Sequence, residues 1–382
     1  MAEGNGDSVV IVGAGPAGLA TAAMLRERGV VPTVLEAGAG PGESWRRHYE
    51  RLHLHTVKQH SALPGLTMPG DYPRYPSREQ VLAYLQAYAR HFAIEPECGV
   101  TVRRVRPEGT GWRLETDGES RHTRVVALAT GHNRIPVRPE IPGLTDFPGQ
   151  VLHAAEFRNG EPFRGQRVLV VGAGNSGAEI ALDLAEHGAL PTLVVRGPVH
   201  VVPRELLGRP GQKTSILLSH LPRALADRVS LTILRLAVGD LTRWGIVRPA
   251  LGPRTMAETQ GRIPLIDIGT LGLIKQGRIA VAPALTAVDG ATCSFADGRR
   301  KELDAIVLAT GYRSGLETLL PEHGALLDEH GTPRVHGAAA APGLYFIGYR
   351  VTATGILRDI ARTAPTLADD IVQYLQPGAS RE

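Results

Sequence analysis

The residues with the clearest chemical meaning are six glycines. Residues 9–18 read VVIVGAGPAG and residues 168–177 read VLVVGAGNSG, so the spacing Gly13, Gly15, Gly18 recurs as Gly172, Gly174, Gly177. In each copy a short apolar run precedes the glycines and an Ala- and Leu-rich stretch follows them. Such a turn suits the binding of a dinucleotide pyrophosphate. The first glycine permits the tight turn, the second lets the backbone approach the phosphates, and the third lets helix and strand pack closely. The helix N-terminus adds free N–H groups and the positive end of its dipole. Pro16 and Ala17 complete the first cradle, and Asn175 and Ser176 hold the same places in the second.

The end of the next strand separates two ligands. The run PTVLE ends on Glu36, where a carboxylate accepts hydrogen bonds from a ribose 2′-hydroxyl. Counted from the first glycine, the equivalent residue of the second copy is Val195, followed by Arg196. A carboxylate repels a 2′-phosphate, whereas a guanidinium binds it as a fork. The first cradle therefore suits FAD or NAD, and the second NADP.

Other chemically capable residues carry weaker signals. HLHTVKQH puts His53 and His55 on one strand face, with His60 close behind. Without a carboxylate or cysteine at matching spacing, no metal site is expected. Cys98 and Cys293 lack CxxC spacing, so a redox dithiol is not expected either.

The elements that must position these residues also come in two sets. Each cradle is followed by a hairpin signal and an apolar strand: WRLETDGESRHTRVVALATG, turning at Asp117–Gly118, and CSFADGRRKELDAIVLATGY, turning at Asp297–Gly298. Both end in Ala-Thr-Gly, which makes Thr130, Gly131, Thr310 and Gly311 candidate cofactor contacts. The last strand, GLYFIG, ends on Gly348, another candidate contact, and an amphipathic helix follows. The expected fold is α/β, with two Rossmann-like domains, one inserted in the other. FAD would bind a domain of residues 1–150 and 300–382, and NADPH a domain of residues 151–299. The proline- and glycine-rich stretch 132–149 is the expected crossing point.

Composition agrees. A chain of 382 residues suits two domains, and 43% hydrophobic with 21% charged residues describes a globular protein. The net charge of +4 comes from scattered basic residues, so no nucleic-acid partner is expected. No apolar run reaches the roughly 20 residues of a membrane span. The opening residues MAEGNGDS lack an export signal, and a cytoplasmic setting is expected.

Longer segments carry a family resemblance. FPGQVLHAAEF, residues 147–157, matches the F-x-G-x-x-x-H-x-x-x-(F/Y) signature of flavin-containing monooxygenases through Phe147, Gly149, His153 and Phe157. YERLHLHTVKQHSALP, GNSGAEIALDLAEHGALPTLVVR, VHVVPRELLG and GRIPLIDIGTLGLIKQGRIAV resemble the YUCCA-type flavin monooxygenases and their bacterial relatives. The resemblance implies FAD in the first cradle, NADPH in the second, and a C4a-peroxyflavin that transfers one atom of O2 to a small organic substrate. By carry-over, Asn175 lies near the NADP pyrophosphate and acts in catalysis. Trp45, Arg46 and the segment LHLHT, with Leu54 and His55, contact the flavin, and Val102 its adenine end. His55 stands where animal-type relatives have the Asn of N-x-P-K, and is expected beside the isoalloxazine as a catalytic residue. His153, Phe147 and Phe157 are expected to be packing residues, and Lys58 to face substrate, nicotinamide ribose or solvent.

The substrate side is expected in residues 203–275 together with 55–75, its helices roofing a pocket. YUCCA-type enzymes oxidatively decarboxylate indole-3-pyruvate, and other relatives oxygenate nitrogen or sulfur. An aromatic 2-oxo acid calls for a cation, for which Arg248 and Arg254 are available. A disulfide reductase and a non-catalytic FAD/NADPH redox sensor are the rival classes. The expected partners are substrate and O2, with a homodimer as the candidate assembly.

Overall fold

The computed structural model describes residues 7–376; residues 1–6 of the opening stretch lie outside the described residues. The first cradle grows from β1 (Asp7–Val12), α1 (Pro16–Glu27) and β2 (Thr33–Glu36). Val9, Val10 and Ile11 are fully buried, as expected of a central strand covered on both faces. Pro16 sits at the start of α1, where its fixed φ is compatible with the first turn and its missing N–H costs no hydrogen bond. After α2 (Glu43–Arg46) and α3 (Arg78–His91) come β3 (Glu97–Cys98), β4 (Val102–Glu108), β5 (Gly111–Thr116) and β6 (Arg121–Leu128). The parallel order of the first sheet is strand Leu344–Phe346, β6, β1, β2, β3, while β4, β5 and β6 form an antiparallel meander turning at Asp117–Gly118.

The plan then repeats. The two-residue strand β7 (Ile135–Pro136) leads to β8 (Gln150–His153), β9 (Arg167–Val171), α4 (Asn175–Glu186) and β10 (Leu190–Val194). The second sheet is entirely parallel, in the order Ala280–Ala282, β10, β9, Ala305–Leu308, β8. Its meander, Leu285–Asp289, Thr292–Phe295 and Arg300–Glu302, is a separate three-stranded sheet. This is the α/β, two-Rossmann plan expected from the sequence.

Sheet membership moves one boundary. Ala305–Leu308 pairs with β9 and β8, so residue 300 does not open the return to the first unit. That return comes after Tyr312–Arg313, which pairs antiparallel with β7, so the two crossings run side by side. Leu316, Leu319, Leu320 and Leu327 then join the core beneath the first sheet.

The stretch 203–275 folds as α5 (Gly211–Leu218), α6 (Arg223–Val238), α7 (Pro253–Gln260) and α8 (Thr270–Lys275). Buried Asp227 on α6 fixes α7 by accepting hydrogen bonds from the Arg254 and Thr255 N–H groups at 2.9 and 3.1 Å. No described helix is long and apolar enough to cross a membrane.

Candidate active site

Packing demands two glycines in each cradle and leaves the third free. A Cβ at Gly18 would lie 1.8 Å from the Gly13 carbonyl oxygen, and one at Gly177 1.8 Å from that of Gly172. Gly13 and Gly172 have φ of +107° and +117° and press against the carbonyl oxygens of Ala129 and Ala309. Nothing lies within 4 Å of a Cβ placed at Gly15 or Gly174. The fold thus needs the outer glycines, while the middle one keeps open the space a pyrophosphate would enter.

Each Ala-Thr-Gly closes its cradle from the far strand. The Thr130 N–H donates to the Tyr349 hydroxyl at 3.0 Å, and the Thr130 and Tyr349 hydroxyls lie 2.8 Å apart. Burial pushes the Tyr349 phenol up to about 12, so it stays protonated there. The Thr310 hydroxyl donates to the Val137 carbonyl at 2.5 Å. Gly131 and Gly311 have φ of +75° and +86° and open space beside them. A Cβ at Gly348 would come within 2.8 Å of the Ala17 Cβ, so glycine there lets α1 approach.

The two strand-end residues behave differently. Glu36 accepts the Ala14 N–H at 2.8 Å on one oxygen and the Gly38 N–H at 2.7 Å on the other, pinning the loop of its own cradle. Each oxygen retains a lone pair for a hydroxyl. Arg196 is exposed just beyond β10 and forms no ion pair among the described residues. Trp45 packs half-buried on the first core, and Arg46 is paired with Glu43 at 3.0 Å. The Leu54 and Val102 side chains are buried in the cores, which leaves mainly their backbones for ligand contact.

The segment 49–57 is strapped along α4. Arg51 donates to Glu186 at 2.6 Å and lies 3.8 Å from Asp183. His55 Nε2 lies 2.7 Å from Glu179 Oε1, and Glu179 is 1% exposed. Burial first, then the Glu179 charge, pushes the Tyr49 phenol well above its ordinary value. Buried Gln212 on α5 accepts the Val57 N–H at 2.8 Å and donates to the Thr354 carbonyl at 2.7 Å. A Cβ at Gly355 would meet the Thr56 methyl at 2.8 Å. Segment 49–57, α4, α5 and the 349–355 loop therefore converge on one place.

Several chemically capable residues have structural duties. The Asn175 side-chain oxygen accepts the Ile266 N–H at 2.7 Å, tying the second cradle to strand Leu265–Asp267. Lys58 donates to the carbonyls of Pro69, Gly70 and Tyr72 at 3.1, 2.6 and 2.5 Å, so it clamps a loop. His153 is fully buried, lies 3.1 Å from the Gly311 carbonyl and meets Tyr312 edge-on; Phe147 and Phe157 are core residues. The histidine run diverges: His53 bonds the Arg51 carbonyl, His55 turns to Glu179, and burial first, then Arg358 and Lys213, holds His60 low.

Two clefts border this place. One of about 780 Å³ is lined by Arg51, His53, Tyr75, Arg204 and Asp267, and one of about 510 Å³ by Val57, Gln59, Arg209 and Lys213; Arg74 lines both. Both draw residues from the two ranges expected on the substrate side. Arg248 instead donates to the Leu234 and Gly239 carbonyls, and Arg254 pairs with Glu258 at 2.7 Å, so neither is a ready cation for substrate. Glu179, Tyr49 and Gln212 were missed by sequence reasoning. An acid amid the apolar residues of α4 was the available signal for the first.

Paired cradles sharing one convergent site define a two-dinucleotide oxidoreductase. Residues 10–204 match the family model described as pyridine nucleotide-disulphide oxidoreductase. The two cysteines of this chain, exposed Cys98 on β3 and buried Cys293 in the second meander, are in different sheets and supply no dithiol. The chain is 42% identical over 356 residues to indole-3-pyruvate monooxygenase YUCCA1 of Oryza sativa subsp. japonica, covering 91% of this chain and 87% of the relative. It is also 42% identical over 375 residues to indole-3-pyruvate monooxygenase YUCCA6 of Arabidopsis thaliana, covering 95% and 89%. A solved flavin-containing monooxygenase from Stenotrophomonas maltophilia shares 25% identity over 97% of this chain and 99% of its own, with a TM-score of 0.72. The chain belongs to the YUCCA family of flavin monooxygenases, enzymes of the oxidoreductase class.

Proposed function

We propose that the protein is an FAD- and NADPH-dependent monooxygenase that oxidatively decarboxylates an aromatic 2-oxo acid, with indole-3-pyruvate as its substrate. The observation that carries this reading is 42% identity across 91% of the chain to a relative named for that reaction. The balance is 2-oxo acid, O2, NADPH and a proton giving the carboxylic acid one carbon shorter, CO2, water and NADP+. The first unit, with Gly13, Gly15, Gly18, Glu36, Thr130 and Gly348, holds FAD. The inserted second unit, with Gly172, Gly174, Gly177, Arg196 and Thr310, holds NADPH.

When bound, the reduced flavin supplies the O2-activating chemistry. The chain binds and orients. The cradle loops offer N–H groups to the pyrophosphates, Arg196 takes the 2′-phosphate, and the α4 strap sets His55 between the two units. Asn175 acts by positioning the cradle through Ile266 rather than by touching reacting atoms. Arg209 and Lys213 are the cations for the substrate carboxylate. They line the cleft beside Val57, and neither has an ion-pair partner among the described residues, whereas Arg74 is paired with Glu205. A cytoplasmic setting and a homodimer belong to the same reading, and light scattering of the purified protein checks the second.

The test is turnover of indole-3-pyruvate with NADPH and O2. Indole-3-acetate and CO2 appearing in step with NADPH oxidation is the expected result. NADPH oxidation that forms no indole-3-acetate once catalase removes free peroxide, while a thioether or amine is oxygenated, would replace the 2-oxo acid by a heteroatom substrate.

A further inference from the structure

Glu179 lies inside α4, four residues past Asn175, and is 1% exposed. A carboxylate so placed needs partners, because burying an unpaired charge is costly. One oxygen has His55 Nε2 at 2.7 Å, while Glu179 Oε2 and His55 Nδ1 are both buried without a partner among the described residues. The result is a hydrogen-bonded pair buried at both ends. Around it stand the buried Tyr49 phenol and the His48 ring, which burial holds low. Beside the Arg51 contacts with Asp183 and Glu186, the pair joins the helix of the second cradle to the segment 52–57, itself tied through Gln212 to the 349–355 loop.

An acceptor on one ring nitrogen fixes both the orientation and the tautomer of a histidine. We propose that Glu179 is a positioning residue for the reaction: it accepts the Nε2 proton of His55 and so fixes the orientation and tautomer of the imidazole. Because Glu179 rides on α4, the same contact links occupancy of the second cradle to the placement of His55. The inference rests on the FAD and NADPH reading above. It assigns a role to a buried acid that the cradle itself does not use.

The test uses the FAD-loaded enzyme, with Glu179→Gln, His55→Ala and the double variant. Each is reduced anaerobically with NADPH and mixed with O2, and the lifetime of the absorbance transient that precedes reoxidised flavin is read beside flavin content and Tm. Glu179→Gln should keep its flavin and shorten that lifetime by about tenfold or more, as when the partner orienting a functional histidine is removed. The double variant should be no worse than His55→Ala alone. An unchanged lifetime in Glu179→Gln, or losses that multiply in the double variant, would overturn the proposal. If Glu179→Gln does not fold, nitrogen NMR of labelled histidine in the wild type decides: a proton on Nε2 of His55 is expected, and a neutral ring protonated on Nδ1 overturns the assignment. A wild type that NADPH cannot reduce overturns the cofactor reading and this inference with it, whereas a normal wild type beside an unaffected Glu179→Gln overturns the inference alone.

Discussion

In the proposed function the difference between the two cradles turns on Arg196. It sits exposed and without an ion pair among the described residues, one residue past the position equivalent to Glu36 of the first unit. A charge-assisted hydrogen bond contributes about 1.5–3 kcal/mol. Arg196→Ala should therefore weaken NADPH by about ten- to hundredfold and leave NADH nearly unchanged, read as KM for each in the anaerobic reduction. An intact preference for NADPH would remove Arg196 from the site. Glu36 and Arg196 are proposed from short, local spacing in the sequence. Glu179 was not legible there, because its partner His55 is 124 residues away and nothing in the run AEIALDLAEHG says which face of the helix meets the other unit. The role of Lys58 was hidden for the same reason. Its three carbonyl partners are set by a loop path, not by a motif.

At the scale of elements, α4 combines two functions on two faces. Its N-terminus closes the second cradle, and its row Glu179, Asp183, Glu186 holds segment 49–57. The glycines of the turn before it can be separated by substitution. Gly177→Ala forces a Cβ to within 1.8 Å of the Gly172 carbonyl and should cost about 1–3 kcal/mol of stability. Gly174→Val, at φ −82° and ψ −175° with open space around it, should keep Tm and flavin but abolish reduction by NADPH. Equal thermal damage from both would mean that Gly174 is structural. A second prediction concerns strand Ala305–Leu308, anchored by Arg167 and Asp304. Hydrogen bonds from Arg167 lower the Asp304 carboxyl to about 2, below its unfolded value. Its contribution is therefore complete above about pH 4 and lost as pH falls through about 2. The Tm gap between wild type and Asp304→Asn should be present at about pH 5 and shrink as the solution is acidified; a gap independent of pH would contradict the pairing. This strand was assigned to the first unit from sequence. Two Ala-Thr-Gly strands look alike, and periodicity identifies a strand without naming its sheet.

For the whole molecule, two copies of one plan joined by two adjacent crossings place the convergent site between units rather than within one. That arrangement was legible from the repeated glycine phrases, the paired hairpin signals and the crossing stretch 132–149. The sequence marks the expected substrate side only as a region. Arg248 and Arg254 turned inward to cap carbonyls and pair with Glu258, while Arg209 and Lys213 reach the cleft. Which cations face outward depends on how four short helices pack, and sequence spacing does not encode that. In the proposed function one atom of O2 enters a 2-oxo acid at this site. The most direct measurement supplies isotopically heavy O2 with NADPH and indole-3-pyruvate and weighs the product. One heavy oxygen in the carboxylate of indole-3-acetate, the other going to water, is the predicted result. The assay includes catalase, because free hydrogen peroxide itself decarboxylates 2-oxo acids; continued NADPH oxidation with no indole-3-acetate formed would contradict it.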